Sequence, residues 1–166
     1  MDAAFKTIVR SQFGAAVDML ENAVKHCPDA LWGDRTKQPE YWYLVYHTLF
    51  WLDLYLSGSV EGFTPPAPYG LEELDPAGVL PERPYSKDQM LSYLDHCRTK
   101  YRSVIDSLTD ERAAERLRFS WGEVSFAERL LYNMRHVQHH AAQLNLILRQ
   151  QIDSAPKWVA KEGVRS

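Results

Sequence analysis

Apolar residues recur at three- and four-residue intervals along four stretches of the chain, and each stretch reads as one face of an α-helix. In residues 2–26 the recurring positions are Phe5, Ile8, Val9, Phe13, Ala16, Val17, Leu20 and Val24. Pro28 follows, as expected just past a helix end, and His26 falls in the last turn, where a cation suits the helix dipole. A second helix is predicted from about Pro39 to Ser57, with Pro39 in its first turn. Its interior, YWYLVYHTLFWLDLYL, is too short to span a bilayer and holds His47 and Asp53, so it reads as a core helix. A third helix opens at Ser86, where Ser86 and Gln89 make a capping-box pattern and Tyr85 and Met90 a hydrophobic staple. Met90, Leu94, Cys97, Tyr101, Val104, Ile105 and Leu108 form its apolar stripe. Ser125 and Glu128 repeat the capping-box pattern and open a fourth helix that reaches about Gln151.

The breaks between these stretches set the topology. Residues 58–85, GSVEGFTPPAPYGLEELDPAGVLPERPY, carry Pro and Gly throughout, so no long helix forms there. A linker of 28 residues needs a reason in a compact domain. A helix of about 18 residues is about 27 Å long, and this linker can travel back along it and start the third helix parallel to the second. The predicted fold is therefore all-α: a four-helix bundle with a long crossover between its second and third helices. Residues 109–124 read as irregular, with LRFSW as a short extended piece. Residues 1–151 form a single predicted domain, and 152–166 a loosely attached tail with Trp158 as its candidate anchor.

Helical geometry also sorts the histidines. RHVQHHAAQ, residues 135–143, places three of the chain's six histidines within five positions. With His136 at 0° and steps of about 100°, Phe126, Leu130, Val137, Ala141, Leu144 and Leu148 fall between about 80° and 140°. His140 lies near the edge of this core face at about 40°, whereas His139 lies at about −60°, toward solvent. His136 and His140 thus share one side, a turn apart, close enough to chelate one ion. On the second helix Tyr43, Leu44, Phe50, Trp51 and Leu54 surround His47 within about 60°. Asp53 points away from that face and reads as a solvated surface charge.

A lone histidine on an apolar face is more often a hydrogen-bonded core residue than a ligand, and a lone HxxxH pair is a weak signal. Together, His47, His136 and His140 offer three ligands from two core helices, with positions open to water. Free imidazoles would make an ion at such a site sensitive to acid through about pH 6. Arg129, Tyr132, Asn133 and Gln143 fall on the ligand side of the fourth helix and can orient ligands or bind substrate; an exposed helix face explains them equally well. His26 and His96 have no comparable companions and are assigned no function.

Composition narrows the chemistry. Net charge is −3, so nothing recommends a nucleic acid or an anionic membrane as partner. Two cysteines, Cys27 and Cys97, make neither a disulfide framework nor a CxxC pair, and neither sits where a thiol is activated. The amphipathic start lacks the apolar region of a secretory signal, so a cytoplasmic protein is expected. HExxH would need Glu where Val137 stands, HxxEH where His139 stands, and the di-iron ExxH motif where Asn133 stands. GxSxG, Walker and GxGxxG motifs are absent.

The four helices, the crossover, His47 within YLVYHTLFWL and the H-x-x-H-H-x-x-Q run within RHVQHHAAQ resemble the DinB/YfiT superfamily of bacterial metalloproteins. The resemblance covers nearly the whole chain, and the family's three histidine ligands fall on His47, His136 and His140. It implies a divalent metal ion, zinc or nickel first, with iron or copper also suited to imidazole. It also implies a thiol-dependent transferase or isomerase, or a metal-dependent hydrolase, working on a small molecule with a low-molecular-weight thiol, and a homodimer. The alternatives are a non-catalytic metalloprotein whose ion stabilises the bundle, or a metal-free helical module for binding or dimerisation.

Overall fold

The computed structural model describes residues 2–120 and 122–164. Met1 of the expected domain, Trp121 of the expected extended piece, and Arg165 and Ser166 of the tail lie outside them. Four long helices carry the fold: α1 (Ala3–His26), α3 (Tyr41–Ser57), α4 (Lys87–Asp106) and α6 (Phe126–Ile152). Between them lie two short helices, α2 (Asp29–Trp32) and α5 (Asp110–Ala114). A hairpin of β1 (Arg116–Phe119) and β2 (Gly122–Ser125) leads into α6, with Arg116 opposite Ser125 and Phe119 opposite Gly122.

The caps form where the sequence puts them. Ser86 Oγ accepts from the Gln89 backbone N–H (3.2 Å) while Gln89 Oε1 accepts from Ser86 N–H (2.8 Å). Ser125 Oγ accepts from Glu128 N–H (3.1 Å). Each such cap satisfies an orphan donor and stabilises its helix by about 1 kcal/mol. Pro39 does not enter α3. The helix begins two residues later, with Glu40 in an extended conformation as N-cap. The Glu40 carboxylate turns back to accept from Trp42 Nε1 (2.6 Å) and to pair with Arg35 (3.2 Å).

Each long helix packs against two others: α1 and α3 both contact α4 and α6, so α1 and α3 lie across the bundle's diagonal. Contacts fix the directions. Going up α3, Trp42 meets Tyr85 at the entrance to α4, the Leu49 carbonyl meets Cys97, and Ser57 Oγ accepts from Lys100. α3 and α4 therefore run parallel, as the length of the linker requires. α3 runs antiparallel to α6, with His47 beside His140 and Tyr55 beside Tyr132. α1 runs antiparallel to α4, with Arg10 on Asp106 and Asp18 on Arg98.

The crossover is held by rings. Phe63, Tyr69 and Tyr85 are buried. Phe63 meets Phe50 edge-on (5.4 Å between centroids), Tyr69 stacks on Tyr93 (4.2 Å), and Tyr85 lies against Tyr46 (5.1 Å). Burying a side chain of this size contributes roughly 1.5–3 kcal/mol, which lets a segment without long helices stay in one path. Its one regular piece is a 3-10 turn, Glu72–Leu74.

Two further expectations fail. Asp53 is not a surface charge: it is wholly buried, with Tyr93 and Lys100 of α4 bonded to its carboxylate. α3 is buried on nearly every side, between α4, α6 and the crossover, so the direction away from His47 is a second interface. Nor is the tail loose or anchored by Trp158, which is 61% exposed. Val159 is buried and its N–H meets Met19 Sδ (3.2 Å), Glu162 N–H donates to the Ser11 carbonyl (3.0 Å), and Gly163 N–H donates to Asp18 Oδ2 (2.9 Å). Gly14 makes this docking possible: a Cβ there would lie 2.5 Å from Glu162 Cγ. The Glu162 carboxylate instead reaches Tyr101 Oη (2.7 Å) and the Arg102 guanidinium (2.5 Å).

Candidate metal centre

α3 presents His47 toward α6, and α6 presents His136 and His140 one turn apart toward α3. Ring centroids are separated by 5.5 Å (His47–His136), 4.9 Å (His47–His140) and 4.5 Å (His136–His140). One nitrogen from each ring lies within 4.8 Å of those of the other two. His139 is exposed and touches the group only through the His140 ring, 5.0 Å away.

Hydrogen bonds fix which nitrogen faces inward. His47 Nδ1 lies 2.7 Å from Glu73 Oε2. A carboxylate only accepts, so Nδ1 carries the hydrogen and Nε2 keeps a free lone pair. His140 Nδ1 lies 2.6 Å from Gln143 Oε1, which leaves its Nε2 free in the same way. His136 Nδ1 is buried and has no hydrogen-bond partner among the described residues. An unpartnered buried imidazole is costly, and coordination by the ring would offset that cost. The donor set suits zinc, nickel, copper or iron(II).

Burial holds the two α6 histidines neutral. Desolvation, reinforced by the charges of His140, His47 and His139, lowers His136 to about 3. Desolvation likewise lowers His140 to about 4, against the hydrogen bond it donates to Gln143. An ordinary histidine titrates near 6.5. Both folded values are depressed, so the unfolded chain binds more protons between them and 6.5. The metal-free protein is therefore expected to keep its full stability above about pH 6.5 and to lose it as pH falls toward about pH 3. Denaturant midpoints of the metal-free protein from pH 7 to pH 4 check this, and His136→Leu should flatten the profile. At these two histidines, proton competition with any bound ion moves well below the pH 6 expected of free imidazoles.

The neighbours singled out in the sequence divide. Gln143 joins the site through His140. Tyr132 lies one ring away, against Tyr55 (5.3 Å), which itself borders His136 (6.2 Å). Asn133 is buried and donates through Nδ2 to the Leu52 carbonyl (3.0 Å), tying α6 to α3. Arg129 is not brought to the histidines; its guanidinium lies over Phe126 (4.5 Å) at the end of α3. Glu73 is the neighbour that periodicity could not find. It sits in the 3-10 turn, 26 positions from His47 in a segment with no regular pattern, and its side chain is only 4% exposed. Although burial raises its pKa, hydrogen bonds from His47, Tyr43 and Trp51 and the His47 charge hold it below the usual carboxylate value.

An open cleft of about 530 Å³ runs along α6, lined by Tyr132, Arg135, His136, Gln138, His139 and Ala142. A cleft of similar size beside Lys25, His26 and Trp158 includes none of His47, His136 and His140 in its lining. Both cysteines are free and buried; desolvation pushes Cys27 up to about 12 and Cys97 well above its ordinary value, so neither is a thiolate at neutral pH. Among the described residues no helix is long and apolar enough to cross a membrane.

No curated protein matches this chain. A family model described as the DinB superfamily matches residues 12–144, a span that includes all of α3 and α4, Glu73, and α6 through His136, His140 and Gln143. With the helical fold and the histidine cluster in place and the match covering most of its length, the chain belongs to the DinB superfamily.

Proposed function

We propose that this protein binds one divalent metal ion through His47, His136 and His140 and acts as a metal-dependent enzyme, either a thiol-dependent transferase or isomerase, or a hydrolase. The observation that carries the reading is the convergence of three imidazoles, two held neutral by burial, with their donor atoms within 4.8 Å of one another beside an open cleft. An ion in such a site lowers the pKa of a coordinated thiol or water and so supplies a nucleophile near neutral pH. Three protein ligands leave positions for that nucleophile. The chain's own residues supply orientation: Gln143 holds His140, and Glu73 meets His47. Both cysteines are buried as thiols, so the attacking thiol belongs to a low-molecular-weight cosubstrate. Zinc or nickel is the proposed metal, and a cytoplasmic homodimer the proposed state.

Elemental analysis of the purified protein comes first, and one equivalent of metal per chain is expected. The metal-loaded protein is then screened for transfer of small thiols to electrophiles and for hydrolysis, against the metal-stripped protein. Metal-dependent turnover supports the enzyme. A full site without turnover in either screen favours an ion that only ties α3 to α6, and protein that takes up no metal overturns the reading.

A further inference from the structure

We infer that Glu73 is a positioning residue of the metal centre, through which the crossover segment holds His47 in its ligating orientation. The inference rests on the metal-binding reading above and assigns a role to a segment whose evident task is to cross the bundle. Glu73 Oε2 accepts two hydrogen bonds, from His47 Nδ1 (2.7 Å) and from Trp51 Nε1 (2.8 Å). His47 and Trp51 stand one turn apart on α3, so one carboxylate oxygen spans two successive turns and fixes the imidazole plane between them. Accepting from Nδ1 forces the tautomer that leaves Nε2 for the ion. It also sets a negative charge behind one of the three imidazoles, making His47 a more basic ligand.

The turn that carries Glu73 is held independently of it. Tyr46 Oη donates to the Gly70 carbonyl (3.2 Å) and to Glu72 Oε2 (3.1 Å), and Tyr69 Oη donates to the Gln89 carbonyl (2.5 Å). A carboxylate only 4% exposed is costly to desolvate. An ion beyond the His47 ring supplies the positive charge that offsets this burial. Outer partners of this kind typically set metal affinity by 10–100-fold.

The test compares Glu73→Ala, Glu73→Gln and Glu72→Ala with the wild type. Zinc affinity is measured by competition with a chromophoric chelator, the cobalt(II) d–d spectrum is recorded, and melting temperatures are taken without metal. Glu73→Ala should weaken zinc by about 10–100-fold while the metal-free protein still melts cooperatively. Glu73→Gln is nearly isosteric and keeps an acceptor for Nδ1–H but loses the charge. It should bind between the two and shift the cobalt bands. Glu72→Ala loosens the same turn without touching His47 and should bind zinc as the wild type does. Glu73 variants that match the wild type in affinity and spectrum would overturn the inference, as would Glu72→Ala weakening zinc as much as Glu73→Ala, since the effect would then be that of the turn. If Glu73→Ala does not fold, the spectrum and affinity of Glu73→Gln decide alone. Wild-type protein that binds no metal sinks the functional reading and this inference with it, whereas normal wild-type binding with indifferent Glu73 variants sinks only the inference.

Discussion

His47→Ala, His136→Ala and His140→Ala should each lose most bound metal after identical loading, and His139→Ala should keep it. Apparent zinc affinities at closed protein sites correspond to about 10–16 kcal/mol spread over a handful of ligands, so removing one of three is expected to weaken binding by at least about a hundredfold. The exception for His139 follows from its exposure and from its contact with the group through the His140 ring alone. An ion held by these histidines would join α3 to α6, so the variants should also lose the metal-dependent rise in melting temperature; saturation at a hundred times Kd adds about 2.7 kcal/mol to stability. Metal stoichiometry of the four variants is the deciding measurement. A His139→Ala protein that empties while His136→Ala stays filled would make His139, not His136, the ligand.

Asp53→Ala is expected to destabilise the fold by about 2 kcal/mol or more, because it removes the wholly buried carboxylate that accepts from Lys100 and leaves the buried Tyr93 hydroxyl without its acceptor. Asp53 Oδ1 lies 2.5 Å from Lys100 Nζ and 3.4 Å from His96 Nε2, and Oδ2 accepts from Tyr93 Oη at 3.1 Å. Lys100 Nζ also donates to the Asp53 carbonyl and Ser57 Oγ and lies over the Phe63 ring. One polar knot thus joins α3, α4 and the crossover. The double variant Asp53→Ala/Lys100→Met removes both charges and should be more stable than Asp53→Ala alone. Denaturant midpoints measure the difference. A loss below about 0.5 kcal/mol for Asp53→Ala would mean that Asp53 behaves as the surface charge its angular position suggests.

Local chemistry made the helices legible. Ser86 with Gln89 and Ser125 with Glu128 mark helix starts through bonds made within three residues. His136 with His140 is a relation within one turn, and His47 is marked by the apolar residues around it. The crossover followed from length alone. What escaped depends on how elements meet. Asp53 was misjudged because the angular reading gave α3 one buried face, and a helix packed between two others and covered by a linker has nearly none exposed. Glu73 reaches His47 from an aperiodic segment whose path is set by Phe63, Tyr69 and Tyr85. The docking of the tail depends on a missing Cβ at Gly14, matched by a glutamate 148 positions later. Residues 109–124 are less irregular than expected: Asp110–Ala114 is helical, the LRF of LRFSW lies in β1, and the pairing of β1 with Gly122–Ser125 depends on contacts beyond the local pattern.

The parallel run of α3 and α4 also carries an electrostatic consequence. In an alternating up-down bundle every helix end would sit beside ends of opposite polarity, but here two carboxyl ends, each equivalent to about half a negative charge, emerge side by side. The sequence places cations there. Lys6 Nζ donates to the Asp106 carbonyl at 2.8 Å, Lys100 donates to the Asp53 carbonyl in the last turn of α3, and Arg112 and Arg129 converge on Gly58, where α3 ends with φ at +101°. Arg129 is wholly buried, its guanidinium has no hydrogen-bond partner among the described residues, and desolvation, with the nearby Arg112 charge, lowers it to about 10. The Glu115 carboxylate, the end of the α3 dipole and the faces of Phe126 and Phe119 favour that charge. A chain that returns through a long crossover to run two helices the same way sets two negative dipole ends beside each other, and in this protein the amino ends of α6 and α1 and these cations, the buried Arg129 among them, meet those ends.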